Sequence, residues 1–360
     1  MWRRIGSILG VILGCGVIFA YIYYASILAD AHRAEQRVEE VVISLSDSTA
    51  FSQFTTTEQV RKQLKRKGLT FENSNIDSVD VAAISDYISR NSYVKGVDAY
   101  VTYSGTLYID IQHHEPVMRM LCGGANSYVT HNGDIFKAPC GSSYYTAVVT
   151  GGYRPFVGVV FEGRAATLRD SLLRREDKRL ESIESNYSEL KSKRSECRAE
   201  IAKLKKQRKK RRWEREDTYL HRKVGVEASI AQHNTTLEQI ATRQGQLEIE
   251  RAKIEKRQKK LNERYNDFTN LINFVTKVEE DSFWGAEIVQ FVADTISTGE
   301  ISLRLIPRSG DFIIEFGTLA DGEHKLEKLQ EFYDKGLSRM GWDRFKIVDV
   351  RYDKQVICTE

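Results

Sequence analysis

His113 and His114 are the residues whose types most readily suggest chemistry, because imidazole binds metals and transfers protons near neutral pH. Neighbouring residues on a strand point to opposite faces, so these two side chains cannot readily hold one metal ion. The sequence also contains no Gly-x-Ser-x-Gly, His-Glu-x-x-His or phosphate-binding glycine motif. We therefore predict a protein that is not an enzyme, with no catalytic residues, no metal and no cofactor.

A run of basic residues near the middle of the chain is suited to binding through its positive charge. Eight of the ten residues from 203 to 212 are Lys or Arg: Lys203, Lys205, Lys206, Arg208, Lys209, Lys210, Arg211 and Arg212. Such a run suits nucleic acid, an acidic protein partner, anionic lipid headgroups or simple solvation of a helix surface. The membrane topology that the N-terminal segment predicts excludes nucleic acid, and the other three interpretations stay open.

The N-terminal segment determines where these residues are exposed. Residues 5–29 are 25 consecutive uncharged residues, which as a helix reach about 37 Å, enough to cross a hydrocarbon core of roughly 30 Å. Arg3 and Arg4 precede them and predict a cytoplasmic tail at 1–4, with everything after the span on the outside. A cleaved signal peptide with a cut near Ala29 is the alternative, but its apolar region would be only about 7–15 residues long.

Cysteine usage is sparse. Of the five cysteines, Cys15 lies in the predicted span, Cys197 in the charged segment and Cys358 near the end of the chain. Cys122 and Cys140 flank a predicted hairpin in a compartment that permits disulfides, so one bridge or two unpaired thiols are equally compatible with the sequence. No cysteine spacing fits a zinc site.

The exterior chain begins with a small α+β module at 38–115. Residues 41–45 read as a strand, Thr56 with Gln59 fits a capping box, and Ser78 is expected to open a second helix. Two strands follow, and in the second of them apolar Leu107, Ile109 and Ile111 alternate with polar neighbours. The predicted order is β-α-α-β-β.

A second module occupies 116–163 and 266–360 and is predicted to be a mixed β domain. Asn132-Gly133 between strand-like flanks is a strong hairpin signal. Strands are expected at 287–292, 301–306 and 312–316, and the chain closes with a strand pair or one long strand at 347–358. Between them, a helix at 323–340 has one apolar stripe, formed by Leu326, Leu329, Tyr333 and Leu337.

The interruption at 164–265 differs in charge and in periodicity. It carries 29 Lys and Arg against 17 Asp and Glu, a net charge of +12, whereas the rest of the chain has a net charge of −8. Apolar residues recur every seven positions in two arms, as in Leu173, Leu180 and Tyr187, and in Ile240, Leu247, Ile254 and Leu261. This pattern predicts an antiparallel coiled-coil hairpin with its tip near 213–225.

Several stretches resemble the FtsQ/DivIB family of bacterial cell-division proteins. They are residues 91–95, 115–119, Tyr128 with Asn132-Gly133, 148–151, 283–288 and 348–352, where Asp349, Arg351 and Tyr352 are similar to the family's Asp-Leu-Arg-Tyr pattern. The resemblance covers about 1–163 and 266–360. It implies one membrane helix, a POTRA domain and a C-terminal β domain. The hairpin of about 100 residues is a departure from ordinary members.

The resemblance also implies a function. Members are non-enzymatic scaffolds of the division machinery, placed in the inner membrane at mid-cell with the C-terminal bulk in the periplasm. Their β domain recruits the bitopic partners FtsB and FtsL, largely by adding a partner strand to the last β-strand. Carried over to this sequence, the partner-binding residues would be Arg351, Tyr352, Lys354, Gln355, Val356, Ile357 and Cys358. The alternatives are a buried Tyr352 with a solvated Arg351, and a membrane-anchored POTRA protein for envelope transport or assembly.

Overall fold

A computed structural model describes residues 14, 16–27, 36–46, 54–69, 71–137, 143–342 and 344–360. Residues 16–27 are helical. Among the described residues, no helix is both long enough and apolar enough to cross a bilayer. The predicted membrane segment at 5–29 lies partly outside the described residues, and the predicted tail at 1–4 lies wholly outside them.

The first folded module has the predicted β-α-α-β-β order. Its elements are β1 (Glu40–Ser46), α1 (Thr57–Arg66), α2 (Val81–Ser89), β2 (Val94–Val101) and β3 (Thr106–His113), with a 3-10 turn at Ile76–Ser78. β3 is the central strand, parallel to β1 and antiparallel to β2. The predicted alternation along β3 is confirmed, because Leu107, Ile109 and Ile111 are fully buried and share one core with Leu64 and Ile84 of the helices.

Local hydrogen bonds determine where the two helices begin. The predicted capping box is present: Gln59 N donates to Thr56 Oγ1 at 3.3 Å, and Thr56 N donates to Gln59 Oε1 at 3.1 Å. The predicted start of the second helix was wrong. Ser78 ends the 3-10 turn, and Asp80 caps α2 instead by accepting a hydrogen bond from Ala83 N at 2.9 Å.

Within the described residues, the second module is a ten-stranded mixed sheet. Its strands are β4 (Pro116–Cys122), β5 (Ser127–Thr130), β6 (Asp134–Phe136), β7 (Ala147–Gly151), β8 (Gly163–Arg164), β9 (Ile288–Thr295), β10 (Ile301–Pro307), β11 (Ile313–Thr318), β12 (Ile347–Asp349) and β13 (Ile357–Thr359). The strand order is β13-β12-β11-β10-β9-β7-β4-β5-β6-β8. β7, which precedes the long insertion in the chain, and β9, which follows it, pair in parallel, so the sheet is continuous across the insertion.

Helices complete the fold. They are α3 (Ala165–Gln207), α4 (Glu216–Glu280), α5 (Trp284–Glu287), α6 (Gly322–Phe332) and α7 (Ser338–Met340), with a π-helical turn at Tyr333–Leu337 before α7. The predicted apolar stripe is confirmed, since Leu326, Leu329, Tyr333 and Leu337 are all buried. The π turn keeps Tyr333 and Leu337 on the buried side although the α-helix itself ends at Phe332.

An aromatic cluster joins the first module to the sheet of the second. Phe54 is buried, and its ring centroid lies 5.2 Å from Tyr128, 5.3 Å from Phe136 and 5.2 Å from Tyr144. Tyr128 and Phe136 belong to the same hydrophobic core as β1, β3 and the helices of the first module. The two modules therefore share packed side chains, which is the condition for moving as one body.

The long insertion is an antiparallel helical hairpin. In its seam Ile183 packs with Leu247 and Ile254, which are heptad positions of the two arms. Polar pairs follow the same antiparallel register: Gln258 donates to Asp177 at 2.8 Å, and the Tyr187 hydroxyl donates to Glu248 at 3.1 Å. The turn occupies 208–215, and residues 216–225 already belong to α4. The turn overlaps the predicted tip at 213–225 only at 213–215.

Candidate partner-binding edge

The last strand of the chain lies at the end of the sheet. β13 pairs with β12 in antiparallel register, with Ile347 opposite Thr359, Val348 opposite Cys358 and Asp349 opposite Ile357. In the part of the chain that the structure describes, no other strand pairs with β13. An end strand of this kind leaves backbone N–H and C=O groups free for a strand from another polypeptide.

β13 is shorter than the predicted strand. The sequence suggested extended chain from Lys354 through Cys358, but only Ile357–Thr359 is in strand conformation. Tyr352 to Val356 form the reversal that an antiparallel β12–β13 pair requires, with a turn at Asp353 and Lys354. Lys354, Gln355 and Val356 thus lie beside the edge strand and not in it.

Exposed isoleucines accompany the free edge. Ile313, Ile347 and Ile357, on three successive strands, are 37%, 37% and 39% exposed. Ile313 and Ile347 are direct register partners, and Ile357 is opposite Asp349, two residues further along β12. Their neighbours Ile314 and Val348 point to the other face and are fully buried. The end of the sheet therefore presents apolar side chains on its outer face next to unpaired backbone.

Arg351 is engaged within the protein. Its guanidinium donates two hydrogen bonds to Asp349, at 2.9 Å and 2.6 Å, and its backbone N–H donates a third at 3.0 Å. Its side chain covers Gly317, where an added Cβ would lie 2.8 Å from Arg351 Cγ. Half of the Arg351 side chain is exposed, whereas the Asp349 side chain is buried. The pair braces the chain as it leaves β12, and an exposed part of the guanidinium remains accessible.

Tyr352 is not a core residue. Its side chain is 47% exposed, in contrast to the interpretation that placed it in the interior. The backbone beside it is fixed, because Lys328 Nζ donates to Val350 O at 2.9 Å and also to Tyr352 O. A fixed backbone with an exposed aromatic ring is the arrangement of a binding anchor, since little further ordering is needed on binding.

Comparison with protein families agrees with this geometry. Residues 36–112 match a POTRA-like domain, and residues 262–359, which include the whole candidate edge, match the domain described as FtsQ/DivIB, C-terminal related. Together the two matches support an FtsQ/DivIB-family protein. No curated protein matches it.

The FtsQ/DivIB match indicates a role in cell division and interaction with other division proteins. The two matched families are non-enzymatic scaffold domains, and FtsQ/DivIB proteins are typically associated with the membrane at the septum. The matches leave residues 113–261 uncovered, and these include almost all of the basic hairpin.

The remaining predicted residues lie away from this edge. His113 packs against Phe54 and Tyr93 at the module junction, and burial lowers its pKa, whereas His114 stacks on Phe136. Among the described residues, no group of three His, Cys, Asp or Glu side chains could hold a metal ion. Cys122 is a buried free thiol, and burial raises its pKa to about 11. Cys140 lies outside the described residues.

Three features of the edge escaped the sequence reasoning. The isoleucine row becomes visible only once the register of β11, β12 and β13 is known. The contact of Arg351 with Gly317 joins distant parts of the chain and has no local signal. The Asp349–Arg351 pair had one, because residues two apart on an extended chain lie on the same face.

We expect the Asp349–Arg351 pair to make stability depend on pH in the acid range. The hydrogen bonds from Arg351 lower the pKa of the Asp349 carboxyl. A lowered folded-state pKa means that the pair stabilises the fold fully above the unfolded value of about 3.9, and that this contribution is lost as pH falls through the folded-state pKa. Asp349→Asn should lower the free energy of unfolding at pH 7 by about 1 kcal/mol, since exposure of Arg351 weakens the interaction.

Urea unfolding at pH 7 and at pH 3 measures this dependence. The difference between wild type and Asp349→Asn should shrink at the lower pH. A difference that stays constant between the two pH values would show that the ionised carboxylate is not what stabilises the turn.

Proposed function

We propose that the protein is a non-enzymatic scaffold of the bacterial division machinery, which recruits FtsB/FtsL-type bitopic partners by β-strand addition to β13. The observation that carries this proposal is the end position of β13 in the sheet, with Ile313, Ile347 and Ile357 exposed beside it. Strand addition takes its affinity from main-chain hydrogen bonds and its specificity from alternate side chains. The exposed edge offers both.

The residues around β13 can distinguish one partner from another. A partner strand beside β13 would find the Ile357 side chain on the outer face and the Tyr352 ring at the adjoining reversal. The accessible part of the Arg351 guanidinium could donate to a partner carboxylate or carbonyl, and Asp349 already fixes its orientation. Lys354, Gln355 and Val356 would then contact the partner from outside the strand.

The rest of the chain would position this edge. In this proposal residues 5–29 anchor the protein in the inner membrane, residues 1–4 remain in the cytoplasm, and the POTRA domain at 38–115 connects the anchor to the β domain at 116–163 and 266–360. The Phe54 cluster supports a fixed relation between POTRA and β domains, because the two share one core. A partner captured at β13 would then be held at a set position relative to the POTRA domain.

Ile357→Asp should weaken binding of an FtsB-like peptide by at least roughly thirtyfold, which corresponds to about 2 kcal/mol. The substitution places a carboxylate where a partner strand would pack, but leaves the fold intact, because Ile357 is exposed and its own strand is at the periphery of the sheet. Isothermal titration of the detergent-solubilised full chain with the peptide gives the affinity.

Val289→Asp is the matched control. Val289 is 41% exposed, close to the 39% of Ile357, but it lies at an irregularity of β9, a strand that has β10 on one side and β7 on the other. Binding should be unchanged in this variant, and equal losses in both variants would contradict the assignment of the edge. In cells, a fluorescent fusion of the wild type should form a mid-cell band. Even staining of the cell periphery would instead support a POTRA protein of envelope transport or assembly.

A further inference from the structure

The tip of the basic hairpin is a defined turn that one arginine holds in shape. The turn lies between the end of α3 at Gln207 and the start of α4 at Glu216. From within α4, Arg222 donates hydrogen bonds to the carbonyl oxygens of Gln207 and Lys209. It also binds the Glu214 carboxylate at 2.8 Å and 2.5 Å, and Glu214 accepts a hydrogen bond from Arg211 N at 3.1 Å. The hydrogen bonds from Arg222 lower the pKa of Glu214 to about 2, so the turn keeps this anchor at every physiological pH.

The charge of this tip is largely uncompensated. All eight basic residues from 203 to 212 are exposed. Lys203 pairs with Glu200, and Lys210 pairs with Glu216. Five other bases at the tip form no ion pair with a carboxylate among the described residues: Lys205, Lys206, Arg208, Lys209 and Arg212. A cluster of unpaired cations on one turn creates a strong local positive potential.

An aromatic side chain projects from the middle of this charge. Trp213 is 92% exposed, the largest exposed fraction of any large apolar side chain in the described residues. It is adjacent to Glu214, which Arg222 holds, so the backbone that carries the indole is fixed. Leu220 and Val224, in the first turns of α4, are also exposed, at 49% and 67%. Elsewhere in the hairpin seam, residues such as Leu247 and Ile254 are buried.

We infer that the hairpin tip binds the surface of an anionic phospholipid bilayer, with Trp213 at the level of the headgroups and the surrounding bases on lipid phosphates. Tryptophan is enriched at membrane–water interfaces, and clusters of Lys and Arg are attracted to anionic leaflets. The tip is a convex turn of eight residues, whereas a protein partner of standard affinity needs roughly 20–30 residues on each side. A bilayer surface can bind such a small convex turn, because it needs no complementary shape.

The test uses the full chain in phosphatidylcholine nanodiscs, mixed with vesicles of phosphatidylcholine either alone or with phosphatidylglycerol, and separated by flotation. We expect the wild type to float only with the anionic vesicles. The triple variant Lys205→Gln, Lys206→Gln, Lys209→Gln should lose about a hundredfold in apparent affinity, because each base near an anionic surface contributes roughly fivefold. Trp213→Ala should lose roughly tenfold.

A second triple variant separates a specific tip from general attraction of a basic protein. Lys253→Gln, Lys256→Gln, Lys260→Gln removes the same charge from exposed positions along the shaft of α4 and should bind as the wild type does. Equal losses in the two triple variants would overturn the proposal, as would wild-type flotation that is independent of phosphatidylglycerol. Association of the nanodiscs with one another, without binding to vesicles, would also overturn it. Circular dichroism confirms that each variant keeps its helices.

Discussion

Phe54→Ala should lower the free energy of unfolding by about 3–5 kcal/mol, the range measured for truncating a buried phenylalanine. Phe54 is 1% exposed and lies against Tyr128, Phe136 and Tyr144 at ring distances of 5.2–5.3 Å. Edge-to-face contacts with Tyr128 and Phe136 and a stacked contact with Tyr144 each add to simple area burial. Removing the ring would leave a cavity between the POTRA domain and the β domain.

Removing the Phe54 ring should also uncouple the unfolding of the POTRA domain from that of the β domain. With the shared core broken, the POTRA domain and the β domain should unfold in separate urea transitions, whereas the wild type should show one transition for both. Phe283→Ala is the control, because Phe283 also contacts aromatic rings but is 39% exposed and lies within the β domain. The free energy of unfolding of that variant should fall much less, and its urea unfolding should keep a single transition. Equal losses would show that the Phe54 cluster has no special role in joining the domains.

The periodicity of apolar residues correctly predicted the elements that depend only on a local residue pattern. The alternation of Leu107, Ile109 and Ile111 located a strand with one buried face, and the seven-residue repeat through Ile240, Leu247 and Ile254 located a coiled-coil arm. The spacing of Thr56 and Gln59, three residues apart, predicted the capping box whose two hydrogen bonds the structure contains. Each of these signals lies within one element, so the sequence contains all of the information needed.

Sequence reasoning failed where the determining contact joins distant segments. Phe54 meets Tyr128 and Phe136 across more than seventy residues, and no periodicity relates them. The predicted hairpin tip overlaps the turn only in part because helix-forming residues continue up to the turn, and the turn is defined by Arg222 reaching back to Gln207. The edge strand was predicted too long because a run such as 354–358 does not show how many residues the reversal after β12 consumes.

The candidate edge was accessible to both kinds of reasoning. The family resemblance implied partner binding at the strand near 354–358, and the sheet order places β13 at the end of the sheet. Its chemistry required the structure, because the exposure of Ile313 and Ile347 depends on which face of the sheet is covered. A residue on a central strand such as β9 can be similarly exposed although β10 and β7 leave no side open for an added strand, which is why Val289 is a discriminating control.

Gly151→Ala should destabilise the β domain by at least about 3 kcal/mol, because it combines backbone strain with overpacking. Gly151 has a φ of +106°, which favours glycine, and an added Cβ would lie 3.0 Å from the backbone nitrogen and carbonyl carbon of Ala293 and closer still to its oxygen. That backbone belongs to β9, and the neighbouring Gly152 N–H donates to Asp294 at 2.7 Å. The substitution would therefore push β7 and β9 apart where the sheet rejoins after the hairpin insertion.

Gly299→Ala isolates the strain from the steric clash. Gly299 also has a positive φ, +95°, but an added Cβ there meets nothing within 4 Å. This variant should lose only about 1–2 kcal/mol, the cost of a left-handed backbone for a residue with a side chain. Urea unfolding of both variants gives the difference. If the two losses are equal, close approach of β7 to β9 does not limit the residue at 151, and only the backbone conformation does. If Gly151→Ala loses far more stability, the close approach of the Ala293 backbone on β9 is what restricts position 151 to glycine.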